Sequence, residues 1–196
     1  MIIHSIEIQG FGPHADTKLS FDQNITAIIG HNGSGKTFLL ESIPAILFGS
    51  FPSRAGTILD HVTQGHYGDA LLAFEFTADG VGYRAERKAK RSMKTASQEC
   101  YLFKKNGTGW EPMAGPKQED FYRETSRIIG DEKLFLSSVF SSQNMAGDLI
   151  DAKSTERKRL LGELLCLNRY NAMSEAAADK ARKIAVGLEE YEGRKK

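Results

Sequence analysis

The chain has 196 residues, of which 40% are hydrophobic, so it can bury a real core and is too apolar for a disordered tail. Its formal net charge is only +1, and no stretch approaches the roughly 18 apolar residues that a membrane span needs. The start, MIIHSIEIQGFG, has neither a basic beginning nor a long apolar run, so we expect a cytoplasmic protein without a secretory signal.

The two cysteines give no indication of a metal site. Cys100 and Cys166 lie far apart in the chain, and neither has a second Cys or His at metal-ligand spacing. We therefore predict that both are core thiols in a reducing compartment.

The first 30 residues contain three predicted strands. IIHSIEIQ is rich in β-branched residues, and KLSF follows it after the loop GFGPH. The third, NITAIIG, is a short apolar run that ends in a glycine. That pattern is expected for a buried strand that leads into a phosphate-binding loop.

A helix is predicted directly after Lys36 and ends at Gly49. Pro44 lies inside it, which predicts either a kink or a local accommodation. Apolar residues at helical spacing give the segment one buried face: Leu39, Leu40, Ile43, Ile46 and Leu47.

Residues 69–111 are predicted to form an antiparallel meander. Leu72, Phe74 and Phe76 alternate with other residues in ALLAFEFT, and the turn dipeptide DG separates this strand from VGYRAER. ECYLFKK is a further strand, which the dipeptide NG turns toward Trp110. A small nucleotide kinase or a GTPase would instead continue with alternating βα units and a parallel sheet.

The last third of the chain is predicted to be mainly helical. A helix from Pro116 to Ile129 ends at Gly130, and Gln143 is predicted to follow a buried strand within EKLFLSSVF. From about Ser154 the pattern is continuously helical. Apolar residues there are spaced 4, 3, 4, 3, which predicts a coiled-coil seam, with a plain surface helix as the alternative: Ala177, Ala181, Ile184, Leu188 and Tyr191.

Between the third strand and the helix lies a complete GxxxxGK[ST] motif, from Gly30 to Thr37. Its glycines let backbone N–H groups turn inward around phosphates, and the helix N-terminus adds its dipole. We expect Lys36 to bridge the β- and γ-phosphates of ATP, and the Thr37 hydroxyl to ligate Mg²⁺. The predicted nucleotide contacts are Asn32, Gly33, Ser34, Gly35, Lys36, Thr37 and Phe38.

The sequence lacks the motifs that would form the second half of an ATPase active site. No apolar run ends in Asp or Asp-Glu as a Walker B strand would, and the nearest segments, LAFEFTADG and FLSSVF, lack this pattern. The sequence also offers no catalytic base. We therefore expect the chain to bind ATP but not to position an attacking water by itself.

This order of parts resembles the N-terminal half of an SMC-class ABC ATPase head, and most closely the SbcC / Rad-fifty family of double-strand-break repair ATPases. The segments that carry the resemblance are IEIQGFGPH, IIGHNGSGKTFLLESIPAILFG, GYRAERKAKR and VFSSQNMAGDLIDAKSTERKRLLGELLCLNRY. It implies an α/β P-loop NTPase fold, an ABC-type lobe I with a mixed sheet plus an antiparallel β layer. Residues 1–167 would form the N-terminal half of the head, and residues 168–196 the beginning of an antiparallel coiled coil.

The resemblance also implies how the site is completed. Gln143 would be the Q-loop residue that touches Mg²⁺ and the attacking water, and Val62, Thr63 and Gln64 would lie near the nucleotide. Walker B and the signature motif would come from the C-terminal half of the same protein, so ATP hydrolysis would require both halves. Two heads would sandwich two ATP molecules. A zinc hook would lie outside this chain, because its two cysteines do not form the CxxC of such a hook.

In this family the head controls a nuclease of the SbcD type during processing of double-strand breaks, which the resemblance implies for this chain. An SMC- or RecN-like DNA-tethering ATPase without a nuclease is the alternative, and an apical CxxC or a large hinge domain would distinguish the two. A small nucleotide kinase is a third hypothesis, and it predicts phosphoryl transfer by this chain alone.

A basic segment between Tyr83 and Lys105 carries eight positive and two negative side chains in a nearly neutral chain. It predicts either a solvated hairpin or a ridge that contacts the backbone of duplex DNA without sequence specificity. No aromatic stacking platform is evident among its charges. The candidate DNA contacts are Arg84, Arg87, Lys88, Lys90, Arg91, Lys94, Lys104 and Lys105.

Overall fold

The computed structural model describes residues 1–22, 25–63, 68–91, 95–140, 153–164 and 167–193. The chain divides into two compact units, Met1–Ala146 and Gly147–Lys196. The sequence-based boundary at residue 167 remains a prediction. None of the helices in the described residues is long and apolar enough to cross a membrane.

The described part of the first unit is built on six strands: β1 (Ile2–Phe11), β2 (His14–Ser20), β3 (Gly68–Ala78), β4 (Val81–Arg91), β5 (Ala96–Asn106) and β6 (Gly109–Ala114). They form one antiparallel sheet with the order β2-β1-β3-β4-β5-β6. The predicted meander of β3, β4 and β5 is confirmed. Strand β1 pairs with β3 and so belongs to the same sheet.

Tight turns of the predicted kind join β3 to β4 and β5 to β6. Asp79 and Gly80 both have positive φ values, 49° and 77°, between β3 and β4, and Gly107 has φ 58° between β5 and β6. Two-residue hairpin turns require this left-handed backbone, which is why the DG and NG dipeptides predicted them correctly.

In the described part of this unit, three α-helices and one 3₁₀ helix (Ile58–His61) follow or interrupt the strands. Helix α1 (Lys36–Phe48) contains Pro44 without ending there, and Gly49 caps its C-terminus in the left-handed conformation. Helix α2 (Gln118–Ile129) ends at Gly130 as predicted. Helix α3 (Glu132–Ser138) begins at the cap residue Asp131, whose carboxylate accepts a hydrogen bond from the Leu134 N–H. The strand predicted before Gln143 is therefore wrong, because a capped helix occupies that segment.

The core lies between one face of the sheet and helices α1 and α2. Alternate residues of β1, β3, β4 and β5 point into it, among them Ile6, Leu72 and Leu102. We call this the core face and its opposite the outer face. Cys100 is buried on the core face, which confirms its prediction as a core thiol, and burial raises the pKa of this thiol although the nearby Arg87 opposes the rise. Cys166 lies outside the described residues.

The strand predicted at residues 24–30 does not form in the described part of that segment, so this prediction is wrong. Residues 25–30 have no strand pairing, and Ile25 and Ile29 are 100% and 92% exposed. A strand needs a neighbour for its backbone N–H and C=O groups, and the described strands provide none at this place. The sheet of the described residues accordingly lacks the parallel part that a mixed sheet would have.

The second unit consists of helices α4 (Ser154–Leu164) and α5 (Asn168–Gly193). The prediction of one continuous helix from Ser154 is wrong, because Leu167 lies in a turn between them. On α5, the seam residues Ala177, Ala181 and Ile184 are exposed. The side chains of Leu188 and Tyr191 lie outside the described residues, and the coiled coil remains a prediction.

Candidate functional site

The GxxxxGK[ST] loop leads into the N-terminus of α1, as its sequence predicts. Gly33 and Gly35 have φ values of 82° and 91°, in the left-handed region that favours glycine. A Cβ atom on Gly35 would lie 2.5 Å from His14 Nε2 and 2.6 Å from Pro13 Cγ. The loop therefore fits against the β1–β2 turn only because this position has no side chain.

The Lys36 ammonium lies at the mouth of the loop. Its Nζ donates hydrogen bonds to the carbonyl oxygens of Gly30 at 2.8 Å and His31 at 2.7 Å. The first turn of α1 has no acidic residue, so the helix N-terminus presents N–H groups and a positive dipole to an anion. A cavity of about 560 Å³ opens here, lined by Pro13, Asn32, Gly33, Gly35, Lys36, Thr37, Phe38 and Arg54.

Residues 61–63 brace the β1–β2 turn beside the cavity. The Gly12 N–H donates to the His61 carbonyl at 2.9 Å, and the Thr63 hydroxyl donates to the Gly12 carbonyl at 2.9 Å. Val62 pairs with Phe11 and is buried in the core. The Val62 side chain packs inward, so the place of Val62 near the nucleotide remains a prediction, whereas Thr63 acts on the site through the turn. Gln64 lies outside the described residues.

Arg54 and Glu41 were missed by the sequence analysis. Arg54 lines the cavity, and its guanidinium lies 5.2 Å from the centre of the Phe38 ring. Glu41 is only 1% exposed on α1, and its carboxylate lies 3.3 Å from Arg54 Nε. Neither carboxylate oxygen accepts a hydrogen bond from the described residues. The geometry is thus that of an ion pair without aligned hydrogen bonds, which holds Arg54 beside the phosphate loop.

We expect Arg54→Ala to lower the free energy of unfolding by about 1–2 kcal/mol, because it leaves the Glu41 carboxylate buried without its cationic partner. The double variant Glu41→Gln/Arg54→Ala should recover most of this loss, because a neutral amide costs less to bury than a carboxylate. Urea unfolding of the two variants measures the difference. Equal losses in both would show that the pair does not stabilise the fold.

The family follows from comparison with known proteins. A family model described as AAA domain matches residues 5–192. The chain belongs to this AAA domain family. This confirms the predicted α/β P-loop ATPase class and agrees with the left-handed glycines and the helix N-terminus at the phosphate loop.

The curated proteins similar to this AAA domain include ATPases named for DNA double-strand break repair. A DNA double-strand break repair Rad50 ATPase of Methanopyrus kandleri is 29% identical over 98% of this chain and 22% of the relative. The C component of the nuclease SbcCD of Deinococcus radiodurans is 30% identical over 85% of this chain and 18% of the relative. A solved SMC head domain from Thermotoga maritima is 24% identical over 58% of this chain and 39% of that one, with a TM-score of 0.42.

The Rad50 and SbcCD matches confirm the resemblance to the SbcC / Rad-fifty family. The chain spans about a fifth of the length of the curated relatives it matches.

The other predicted nucleotide contacts fit a phosphate site to different degrees. Asn32, Gly33, Gly35, Lys36 and Thr37 line the cavity. Phe38 lines it too, but its ring is buried against Phe51, so only its main-chain N–H is available to a phosphate. Gln143 lies outside the described residues.

Arg84 and Arg87 are not available to DNA, so these two predictions are wrong. Arg87 is fully buried on the core face of β4. Arg84 lies on the outer face between Glu7, Glu75 and Glu86, at 3.1, 2.9 and 2.6 Å. Burial alone would lower the pKa of Arg84, but the hydrogen bonds that its guanidinium donates to these carboxylates outweigh burial and raise that pKa above its ordinary value. Arg84 therefore neutralises the protein's own acids.

The other basic residues of the segment divide between the two faces of the sheet. Lys88 and Lys90 lie on the outer face of β4. Lys105 is exposed on the outer face of β5, whereas Lys104 points to the opposite side. The side chains of Arg91 and Lys94 lie outside the described residues. The described candidates for DNA contact on the outer face are therefore three lysines rather than a continuous ridge.

Proposed function

We propose that this AAA domain is the nucleotide-binding half of the head of a double-strand-break repair ATPase of the Rad50/SbcC type. The observation that carries the proposal is the loop around Lys36, with left-handed glycines, a helix N-terminus and an ammonium at one cavity. Rad50 and SbcC relatives over 85–98% of the chain support the assignment to DNA repair.

In this proposal the site holds ATP and Mg²⁺. Lys36 has the charge and the position to bind the terminal phosphates, and the Thr37 hydroxyl and Gln143 amide are oxygen donors of the kind that Mg²⁺ prefers. Bound Mg²⁺ would neutralise charge on the phosphates during hydrolysis. Among the described residues no cluster of three or more His, Cys, Asp or Glu could hold a metal ion. We propose Zn²⁺ only at a hook outside this chain.

An exposed apolar groove supports the division of the head into two halves. The groove has a volume of about 390 Å³ and lies between the start of β1, residues 26–28 and α1. Ile2, Leu40 and Val139 line it and are substantially exposed. We propose that the C-terminal half of the same head covers this surface and brings Walker B, since the neighbouring residues 25–30 lack a strand partner. When the C-terminal half binds, residues 25–30 would gain the strand pairing that the described residues do not provide.

We expect no ATP hydrolysis by this chain alone, and hydrolysis after the C-terminal half is added. Leu40→Glu should lower the reconstituted rate at least about tenfold, because it places a charge in the apolar contact. Met113→Glu is the matched control, since Met113 is similarly exposed but lies outside the groove.

Hydrolysis that is equal in both variants would contradict docking at this groove. Phosphoryl transfer to a nucleoside monophosphate by this chain alone would instead favour a nucleotide kinase.

In the assembled protein, we propose that ATP-driven pairing of two heads reshapes a surface for duplex DNA and controls a docked nuclease of the SbcD type. The name of the Deinococcus radiodurans relative, which describes one component of a nuclease, supports such a partner. The proposed location is the cytoplasm or nucleoid. A tethering ATPase without a nuclease remains the second candidate, because the same head would serve both.

A further inference from the structure

Aromatic side chains from two strands come together on the outer face of the sheet near its β6 edge. Tyr101 and Phe103 alternate with the buried Cys100 and Leu102, so they point outward, and their rings stack with centroids 6.2 Å apart and an interplanar angle of 21°. On β6, Trp110 lies opposite Lys105 and is 38% exposed. We call Tyr101, Phe103 and Trp110 the aromatic strip. Its members come from two strands, so their spacing along the sequence does not show them as one surface.

Two lysines and two acids lie beside the aromatic strip. Lys88 Nζ lies 5.3 Å from the centre of the Tyr101 ring, and Lys105 is the cross-strand neighbour of Trp110. Glu99 accepts a hydrogen bond from the Tyr101 hydroxyl, and Glu86 pairs with Arg84 and Lys88. The aromatic strip therefore has one cation beside Tyr101 and another beside Trp110.

This combination suits one class of ligand. Flat aromatic rings on an open sheet can stack on unpaired bases, and neighbouring lysines can neutralise the phosphates between those bases. In a duplex the base faces are stacked inside the helix, so a duplex would contact only the lysines, through its phosphates. An acidic protein segment would likewise use the charges and leave the rings without a planar partner.

We propose that the aromatic strip, with Lys88 and Lys105, binds single-stranded DNA by base stacking. The inference rests on the proposed function, in which this head meets broken DNA. It adds to that function a site for an unpaired strand, separate from the nucleotide cavity around Lys36.

Trp110 is the only tryptophan of the chain, so its fluorescence reports directly on the site. We expect oligo(dT) to quench it. An abasic oligomer of the same length supplies the same phosphates without bases, and it should bind more weakly and leave the fluorescence unquenched. Quenching by oligo(dT) no greater than that by the abasic oligomer, or binding of a blunt duplex as tight as that of oligo(dT), would overturn the proposal.

Two variants separate stacking from charge, with binding followed by anisotropy of labelled oligo(dT). Phe103→Leu should weaken binding about tenfold, the order expected for one lost base-stacking partner. Lys105→Gln should lower the slope of log affinity against log salt by about 0.7. Lys18→Gln is the matched control, because Lys18 is exposed on the outer face at the opposite edge of the sheet and should leave the slope unchanged.

Thermal unfolding of each variant checks that the sheet is intact, and Trp110→Leu on the edge strand serves if Phe103→Leu does not fold. Unchanged oligo(dT) affinity in the folded variants would overturn the proposal. ATP binding is measured in parallel. If the unmodified chain binds ATP but not single-stranded DNA, this inference alone is rejected. If the unmodified chain does not bind ATP, the proposed function is rejected.

Discussion

Lys36→Ala is expected to lower the affinity for ATP about 100-fold in the head assembled from both halves. The Lys36 ammonium is exposed at the cavity and donates to two carbonyl oxygens, so it is free to exchange these neutral acceptors for charged phosphate oxygens. Charge-assisted hydrogen bonds of this kind are about twice as strong as neutral ones. Their loss should be seen directly by calorimetric titration with ATP.

Thr37→Val provides the matched comparison for Lys36→Ala. The valine has nearly the shape of threonine but no hydroxyl, so it should remove only the part of the affinity that depends on Mg²⁺. In the presence of a chelator, Thr37→Val should bind ATP like the unchanged protein, whereas Lys36→Ala should remain weak. Both variants should unfold within about 0.5 kcal/mol of the unchanged chain. Undiminished ATP binding by folded Lys36→Ala would contradict the site.

Local sequence signals predicted the parts of the structure that depend on neighbouring residues. The phosphate loop is set by glycines that permit a left-handed backbone, and the hairpins by DG and NG dipeptides with the same property. Gly49 and Gly130 marked the helix ends for a similar reason. In each case the conformation is decided within a few residues, so a short window of sequence contains the necessary information.

Predictions that depended on distant parts of the chain were less successful. NITAIIG has the composition of a buried strand, but burial and pairing require a neighbour that the described residues do not supply. Arg54 and Glu41 are separated by a loop, so their pairing beside the cavity left no periodic signal. The aromatic strip combines residues of two strands through their register, which composition does not reveal.

Counting charges also failed to separate the two faces of β4. The segment YRAERKAKR appears uniformly basic, yet alternate residues of a strand point to opposite sides. Lys88 and Lys90 face outward, whereas Arg87 points into the core. The small Ala85 and Ala89, which flank Arg87 on the same face, were the available signal, because alanines alternating with charged residues mark the side that is buried.

Arg87 joins three elements at the end of the helix that follows the phosphate loop. Its guanidinium donates to the Ile46 carbonyl at 2.7 Å, the Tyr122 hydroxyl at 2.7 Å and Cys100 Sγ at 2.9 Å. Tyr122 in turn donates to the Phe48 carbonyl at 3.1 Å. The last turn of α1 has no basic residue of its own, so Arg87 supplies a positive charge at the negative end of the helix dipole.

Arg87→Ala is therefore expected to lower the free energy of unfolding by about 3–5 kcal/mol, because it leaves a cavity and removes the hydrogen bonds to the end of α1. For a chain of this size the melting temperature should fall by roughly 10 °C. Lys90→Ala is the matched control, a basic residue of the same strand on the exposed outer face, and should change stability by less than about 0.5 kcal/mol.

The comparison with Arg87→Lys distinguishes a structural arginine from one that binds DNA. Lysine keeps the charge but lacks the fork that reaches three acceptors at once, so this variant should lose much of the same stability. A residue that serves DNA through its charge would instead tolerate lysine and lose affinity on change to alanine. Near-normal stability of Arg87→Ala together with weakened DNA binding would therefore reject the buried role and restore the sequence-based assignment.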